Sequence, residues 1–261
     1  MSTASSNRER FYYGYRRTII QDRTGQPSYV DEPLAAADFL DPQPDDHFEL
    51  GAQHHDDVGA LFQILQYHHR NNLLLSVLPS VKLKWGVAGQ PEPTADVAIV
   101  SNLVEPQRRR KILDAAREGI RPSCIIEVIA PRFAEMTLVN KRQIYEKAGI
   151  QEYIVIDSGL RADTEQQASA ICYGVSGYEL VNGQYVALPL DEEQRVYSAV
   201  NRVRFGPNAQ NSGFEVIDAR TGQPIQPQTV IDQDRAAASQ GERRGHDLGA
   251  SLDFLRMQGG E

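Results

Sequence analysis

The chain has 261 residues, 41% hydrophobic and 24% charged, ordinary for a globular protein with room for one large domain or two small ones. No stretch approaches the ~18 continuous apolar residues of a membrane helix, the polar start MSTASSNRERFYYGYRR has no signal-peptide core, and the two cysteines, Cys124 and Cys172, give neither a disulfide framework nor a ligand spacing, so a reducing cytoplasm with no membrane partner is the expectation. The net charge of −8 argues against a general nucleic-acid binder, yet residues 101–150 hold ten Lys/Arg against six Asp/Glu, a local +4 that leaves −12 elsewhere.

Residues 1–10 are polar and expected to be disordered. FYYGYRRTII (11–20) has strand character, TGQP (24–27) signals a turn, and LAAADFLDP (34–42) is a short helix stopped by proline. HDDVGALFQILQYHHR (55–70) is the first long helix, with Val58, Leu61, Phe62 and Leu65 as its stripe. One turn back the stripe reaches His54 or His55, and His55, which opens the helix, is assigned to the candidate site; a satisfied structural histidine is the alternative. His68 and His69 read as surface residues. LLLSVLPSVKLKW (73–85) is a strand pair or a bent strand, followed after a Gly/Pro-rich loop by ADVAIV (95–100), with Asp96 at the mouth of an apolar strand. EPQRRRKILDAAREG (105–119) is a basic helix or an insertion, and RRRK alone reads as a solvated face.

The stretch at 122–157 organises the chain. CIIEVI (124–129) and EYIVID (152–157) are short strands rich in β-branched residues, joined by a helical segment that Gly149 ends, the order of a βαβ unit. Two residues break its pattern. Glu127 falls on the same strand face as Ile125 and Ile129, and Lys141 falls on the helix stripe with Leu138, Ile144, Tyr145 and Ala148. An unpaired carboxylate there would cost several kcal/mol or take up a proton. The pair reads equally as a structural ion pair, or as a lysine snorkelling along its stem. Adding Asp96 brings a second acid toward the same interior region, and two carboxylates with a main-chain carbonyl, that of Val128, make an oxygen site for Mg²⁺ or Mn²⁺. Beyond 157, residues 171–190 read as a β-meander with Asn182-Gly183 as a hairpin turn, two further strand segments follow, and 232–261 is a partly helical tail.

TADVAIV, IIEVIAP and KRQIYEKAGIQEYIVID resemble the core of the PD-(D/E)XK nuclease superfamily, and within it the Uma family of putative restriction endonucleases. The resemblance covers about residues 11–231. Ala95 stands where the family's proline precedes the first acid, and Ile129 stands at the superfamily's usual lysine position, with Lys141 supplying the lysine from the helix. The resemblance implies an α/β fold, a restriction-endonuclease-like mixed β-sheet core flanked by helices with additional β-hairpins. It also implies hydrolysis of DNA phosphodiester bonds with Mg²⁺ or Mn²⁺, with Asp96, Glu127 and Val128 holding the metal, Lys141 aiding the attacking water and His55 completing the site. A homodimer follows by analogy, because cutting two strands takes two sites. The alternative is a non-catalytic nucleic-acid-binding or regulatory protein on the same fold.

Overall fold

The computed structural model describes residues 13–21, 25–106, 108–158 and 173–227. The chain divides into a compact unit over Met1–Ile225 and a second over Gln226–Glu261. The expected disordered start at 1–10, Thr24 of the first turn, Cys172 and the expected tail at 232–261 lie outside the described residues.

Three strands, β1 (Gly14–Gln21), β2 (Pro27–Pro33) and β3 (Asp46–Phe48), form a small antiparallel sheet, with a 3-10 turn at Ala36–Leu40 between β2 and β3. Helix α1 (Ala52–His69) follows. The main sheet has seven strands: β4 (Leu75–Lys84), β5 (Thr94–Ser101), β6 (Ile112–Asp114), β7 (Pro122–Ile129), β8 (Glu152–Asp157), β9 (Gly174–Val181) and β10 (Gln184–Ala187). They lie in the order β10-β9-β8-β7-β5-β4-β6. A third sheet holds β11 (Val196–Ser198), β12 (Val203–Pro207) and β13 (Phe214–Asp218). The architecture is α/β with a mixed sheet: β7 runs parallel to β8 and β4 parallel to β6, and the other neighbours are antiparallel. The hairpin β9–β10 turns at Asn182-Gly183, both at positive φ as its tight turn requires.

Both faces of the central strands are covered, which is why they read as continuous apolar runs rather than alternating ones. On one face Val58, Leu61, Ile64 and Leu65 of α1 pack over Val97, Ile99, Ile126, Val128, Ile154 and Ile156. On the other, Ile125, Ile129, Tyr153 and Val155 pack under Ile144, Tyr145 and Ala148 of the crossover. Cys124 is a buried free thiol. The third sheet is tied to β8 by the buried carboxylate of Glu152, which accepts from the Ser198 hydroxyl and from the N–H groups of Ala199 and Val200.

Several local expectations change. Of the two readings of residues 73–85, the structure has the single strand, β4 (Leu75–Lys84), with Ser80 at φ 45° inside it. The stretch at 105–119 holds β6 and a single turn, α2 (Ala115–Glu118), ended by Gly119 at φ 66°. Arg110 of the basic run is an internal partner of Glu118 at 2.8 Å, while Arg108, Arg109 and Lys111 are exposed. His69 is buried and its Nε2 donates to the Asn201 side-chain oxygen, and His68 Nε2 donates to the Asn201 main-chain carbonyl, since a carbonyl only accepts.

Leu61 is fully buried where α1 meets the sheet. Leu61→Ala is expected to cost about 2–5 kcal/mol, read as a lower midpoint in urea denaturation with an unchanged slope.

Candidate active site

The crossover from β7 to β8 begins with a π-helical turn, Met136–Lys141, that passes into α3 (Arg142–Ala148). The wider i→i+5 spacing is rare and often marks a functional position. Lys141 closes that turn with its side chain inside the protein. Its Nζ donates to Glu127 Oε2 at 2.9 Å and to the Thr94 carbonyl at 2.8 Å, and stands 4.3 Å from the centre of the Phe39 ring. Glu127 Oε1 accepts from the Tyr145 hydroxyl at 2.7 Å. Lys141 is 0% and Glu127 1% exposed.

Asp96 arrives from β5 at a place where the sheet loosens. Pairing of β5 with β4 runs through Pro79↔Val97 and resumes at Val81↔Ala95, passing over Ser80 and Asp96. Ser80 sits at φ 45°. Pairing of β5 with β7 ends at Val97↔Ile126, one step short of Asp96 and Glu127. The Asp96 side chain takes over there: Oδ2 accepts the Val128 N–H at 2.9 Å. The same oxygen is 3.2 Å from His54 Nε2. Val128 therefore enters this arrangement through its N–H.

The helix-start histidine that faces Asp96 is His54 and not His55. Helix α1 begins at Ala52, three residues before the expected start, with Gly51 as its cap at φ 89°. The buried stripe then runs His54, Val58, Leu61, Leu65 at spacings of four and three. His55 does not reach Asp96: it is exposed, with Nδ1 2.7 Å from the Gly51 carbonyl, and lines the same cavity as His54. Asp57, in the first turns of the helix, is buried and bonded to Gln53 and to the Tyr173 hydroxyl. His54 Nδ1 is buried and has no protein partner. His54 and Asp96 line a cavity of about 410 Å³, with Thr94, Phe39, Pro42 and Gln43 also in its wall.

The electrostatics differ between the two acids. Burial pushes the Glu127 carboxyl up to about 7, the nearby Lys141 ammonium only partly opposing it and Asp96 adding to it. Burial also pushes Asp96 up, but the His54 hydrogen bond and charge, the Lys141 ammonium and the Val128 N–H outweigh it, leaving Asp96 below the usual carboxylate range. His54 loses basicity to burial and regains more from Asp96, so it ends above its ordinary value. Among the described residues no group of three or more His, Cys, Asp or Glu is placed to hold a metal ion. A protein cage for zinc is absent from them, whereas two carboxylates and waters are what Mg²⁺ commonly takes. Each carboxylate oxygen has two lone pairs, so Glu127 keeps acceptor capacity beside its bonds to Lys141 and Tyr145.

Sequence reasoning reached Asp96, Glu127 and Lys141, and the structure brings all three to one region. Of the two histidines that the stripe offered, His55 was assigned to the site where His54 faces Asp96, and neither Tyr145 as a partner of Glu127 nor the Thr94 carbonyl was foreseen. Tyr145 had a visible signal, a hydroxyl one turn after Lys141 on the same stripe.

The folded chain holds the Glu127 proton to about pH 7, against an ordinary value of 4.5, so between those values the folded state binds more protons than the unfolded one. In metal-free buffer the stability contributed by this group is present below pH 4.5 and is lost as the pH rises toward 7. Urea denaturation at stepped pH is expected to show that decline in the wild type and a shallower one in Glu127→Gln.

The Uma2 family model, described as "Putative restriction endonuclease", matches residues 49–206, from just before α1 to the end of the β12 region. The match is narrower than the 11–231 of the sequence resemblance and contains His54, Asp96, Glu127 and Lys141. No curated protein matches the chain. Among solved structures, a putative nuclease belonging to DUF820 from Anabaena variabilis ATCC 29413 is similar at 11% identity and a TM-score of 0.42, over 67% of this chain and 79% of that one. Since the family match spans more than half of the sequence, the chain belongs to the Uma2 family of putative restriction endonucleases.

Proposed function

We propose that the protein is a metal-dependent endonuclease that hydrolyses DNA phosphodiester bonds at the wall of the Asp96 cavity. The observation that carries this reading is the convergence of three buried charges from separate elements, Asp96 on β5, Glu127 on β7 and Lys141 on the crossover, of which Asp96 lines the cavity. Asp96 and Glu127, with the Val128 carbonyl, would hold Mg²⁺ or Mn²⁺. The cation, when bound, lowers the pKa of a neighbouring water and polarises a phosphoryl oxygen.

The chain's own groups do the rest. Asp96 stays ionised across the neutral range because His54 and Lys141 favour its charge. His54 fixes the Asp96 carboxylate from α1 and acts as a positioning residue. Lys141 donates to Glu127 and to the Thr94 carbonyl and lies against the Phe39 ring, so it would orient the attacking water, or meet the charge that grows on the phosphoryl oxygens, by exchanging one of these contacts. In the balanced reaction water adds across one P–O ester bond: its oxygen joins phosphorus and a proton goes to the departing oxygen. Cutting both strands of a duplex calls for two such sites, hence a second copy of the chain. No helix among the described residues is long and apolar enough to cross a membrane.

A second reading has its own support. Glu127 is bonded through both oxygens to Lys141 and Tyr145, a network that could hold a core together in a non-catalytic nucleic-acid-binding protein. Nuclease assays separate the two. Wild-type protein with Mn²⁺ or Mg²⁺ is expected to nick or linearise plasmid DNA, and Lys141→Ala or Asp96→Asn to lose at least about 10²-fold in rate. Intact plasmid with folded, metal-supplied wild type would favour the non-catalytic reading.

A further inference from the structure

The cavity at Asp96 does not end there. A second cavity of about 550 Å³ adjoins it and shares Pro42, Gln43 and Thr94 as a common wall. Lys82, Lys84 and Lys111 face this second space. Lys82 is already neutralised, its Nζ 3.0 Å from Asp41 and 2.7 Å from the Pro42 carbonyl, which pins the dividing loop. Lys84 and Lys111 have no ion-pair partner among the described residues. Of the acids in the wall, Asp41 is taken by Lys82, and Glu92 remains against two free ammonium groups, so the balance stays positive.

The strand register sets the distance from the candidate reaction site. Lys82 pairs with Thr94 on one side and with Ile112 on the other, and Lys84 pairs with Asp114. Thr94 lies two residues before Asp96 on β5, about 7 Å along the strand. The lysines thus stand at the sheet edge next to the acids, on the side where β6 brings in the basic run and the exposed Arg109. A local positive patch beside an acidic site in a chain of net charge −8 suits a polyanion whose backbone continues past the reacting group.

We propose that the DNA backbone leaving the Asp96 cavity crosses Thr94 into this second cavity, where Lys84 and Lys111 bind non-scissile phosphates. The proposal rests on the nuclease reading for its substrate, and its test needs no cleavage. Binding of a fluorescein-labelled duplex is measured by anisotropy in EDTA across a salt series, for wild type, Lys84→Ala/Lys111→Ala, Lys84→Arg/Lys111→Arg and the control Lys147→Ala/Arg220→Ala, which removes the same charge elsewhere. The Ala double variant is expected to bind more weakly, with a slope of log affinity against log salt shallower by about 2. The Arg variant and the control are expected to keep the wild-type slope. A wild-type slope in the Ala variant, or an equal loss in the control, overturns the assignment while leaving the nuclease reading standing. A wild type that binds no DNA at low salt overturns both.

Discussion

A lysine and a glutamate with almost no exposure cannot sit in an apolar interior without partners on every side, and much of the local structure around them answers that demand. Leaving either charge uncompensated would cost about 3–5 kcal/mol. Lys141 is met by a carboxylate, a main-chain carbonyl and an aromatic face, and Glu127 by an ammonium and a phenol. Those partners come from the 3-10 turn, β5, β7, the π-helical turn and α3. The pair therefore ties the crossover to the centre of the sheet and draws in the Phe39 segment, where Phe39, Phe48 and Phe133 pack together.

The sheet itself yields at the same place. A regular ladder would pair Asp96 with Ser80 and Glu127 through main-chain bonds. The pairing is instead passed over on one side and stops on the other, and the Asp96 carboxylate serves the Val128 N–H that the ladder leaves open. Where the strands part in this way, Asp96 lines a cavity at the end of the apolar core and its carboxylate meets the Val128 N–H. They also place one well-ionised acid and one reluctant acid side by side, a pairing of unequal affinities that suits a site where charge must be supplied and then shared.

Glu127 and Lys141 were legible because each interrupts a pattern, an acid among the five apolar residues of CIIEVI and a lysine on a helical stripe. The βαβ order was legible for the same reason, since two β-branched runs flank a helix that a glycine stops. The identity of the inward histidine was not, because α1 starts at a glycine cap and not at the Ser, Thr, Asp or Asn that marks most helix starts. Starting three residues earlier puts His54 within the helix, one turn before Val58, and Asp57 is buried on the same side. The segment at 105–119 misled because its helical composition covers a strand that forms only when β4 offers it an edge. The gap in pairing at Asp96 has no local signature, since it depends on where three distant strands run out of register.

The account turns on Asp96 and Glu127 sharing a cation beside Lys141. Crystals grown or soaked with Mn²⁺ and measured at the manganese absorption edge test that directly. An anomalous peak within coordinating distance of both carboxylates is the predicted result. A Mn²⁺-saturated crystal with no peak there, and with Glu127 still closed on Lys141 and Tyr145, would contradict it.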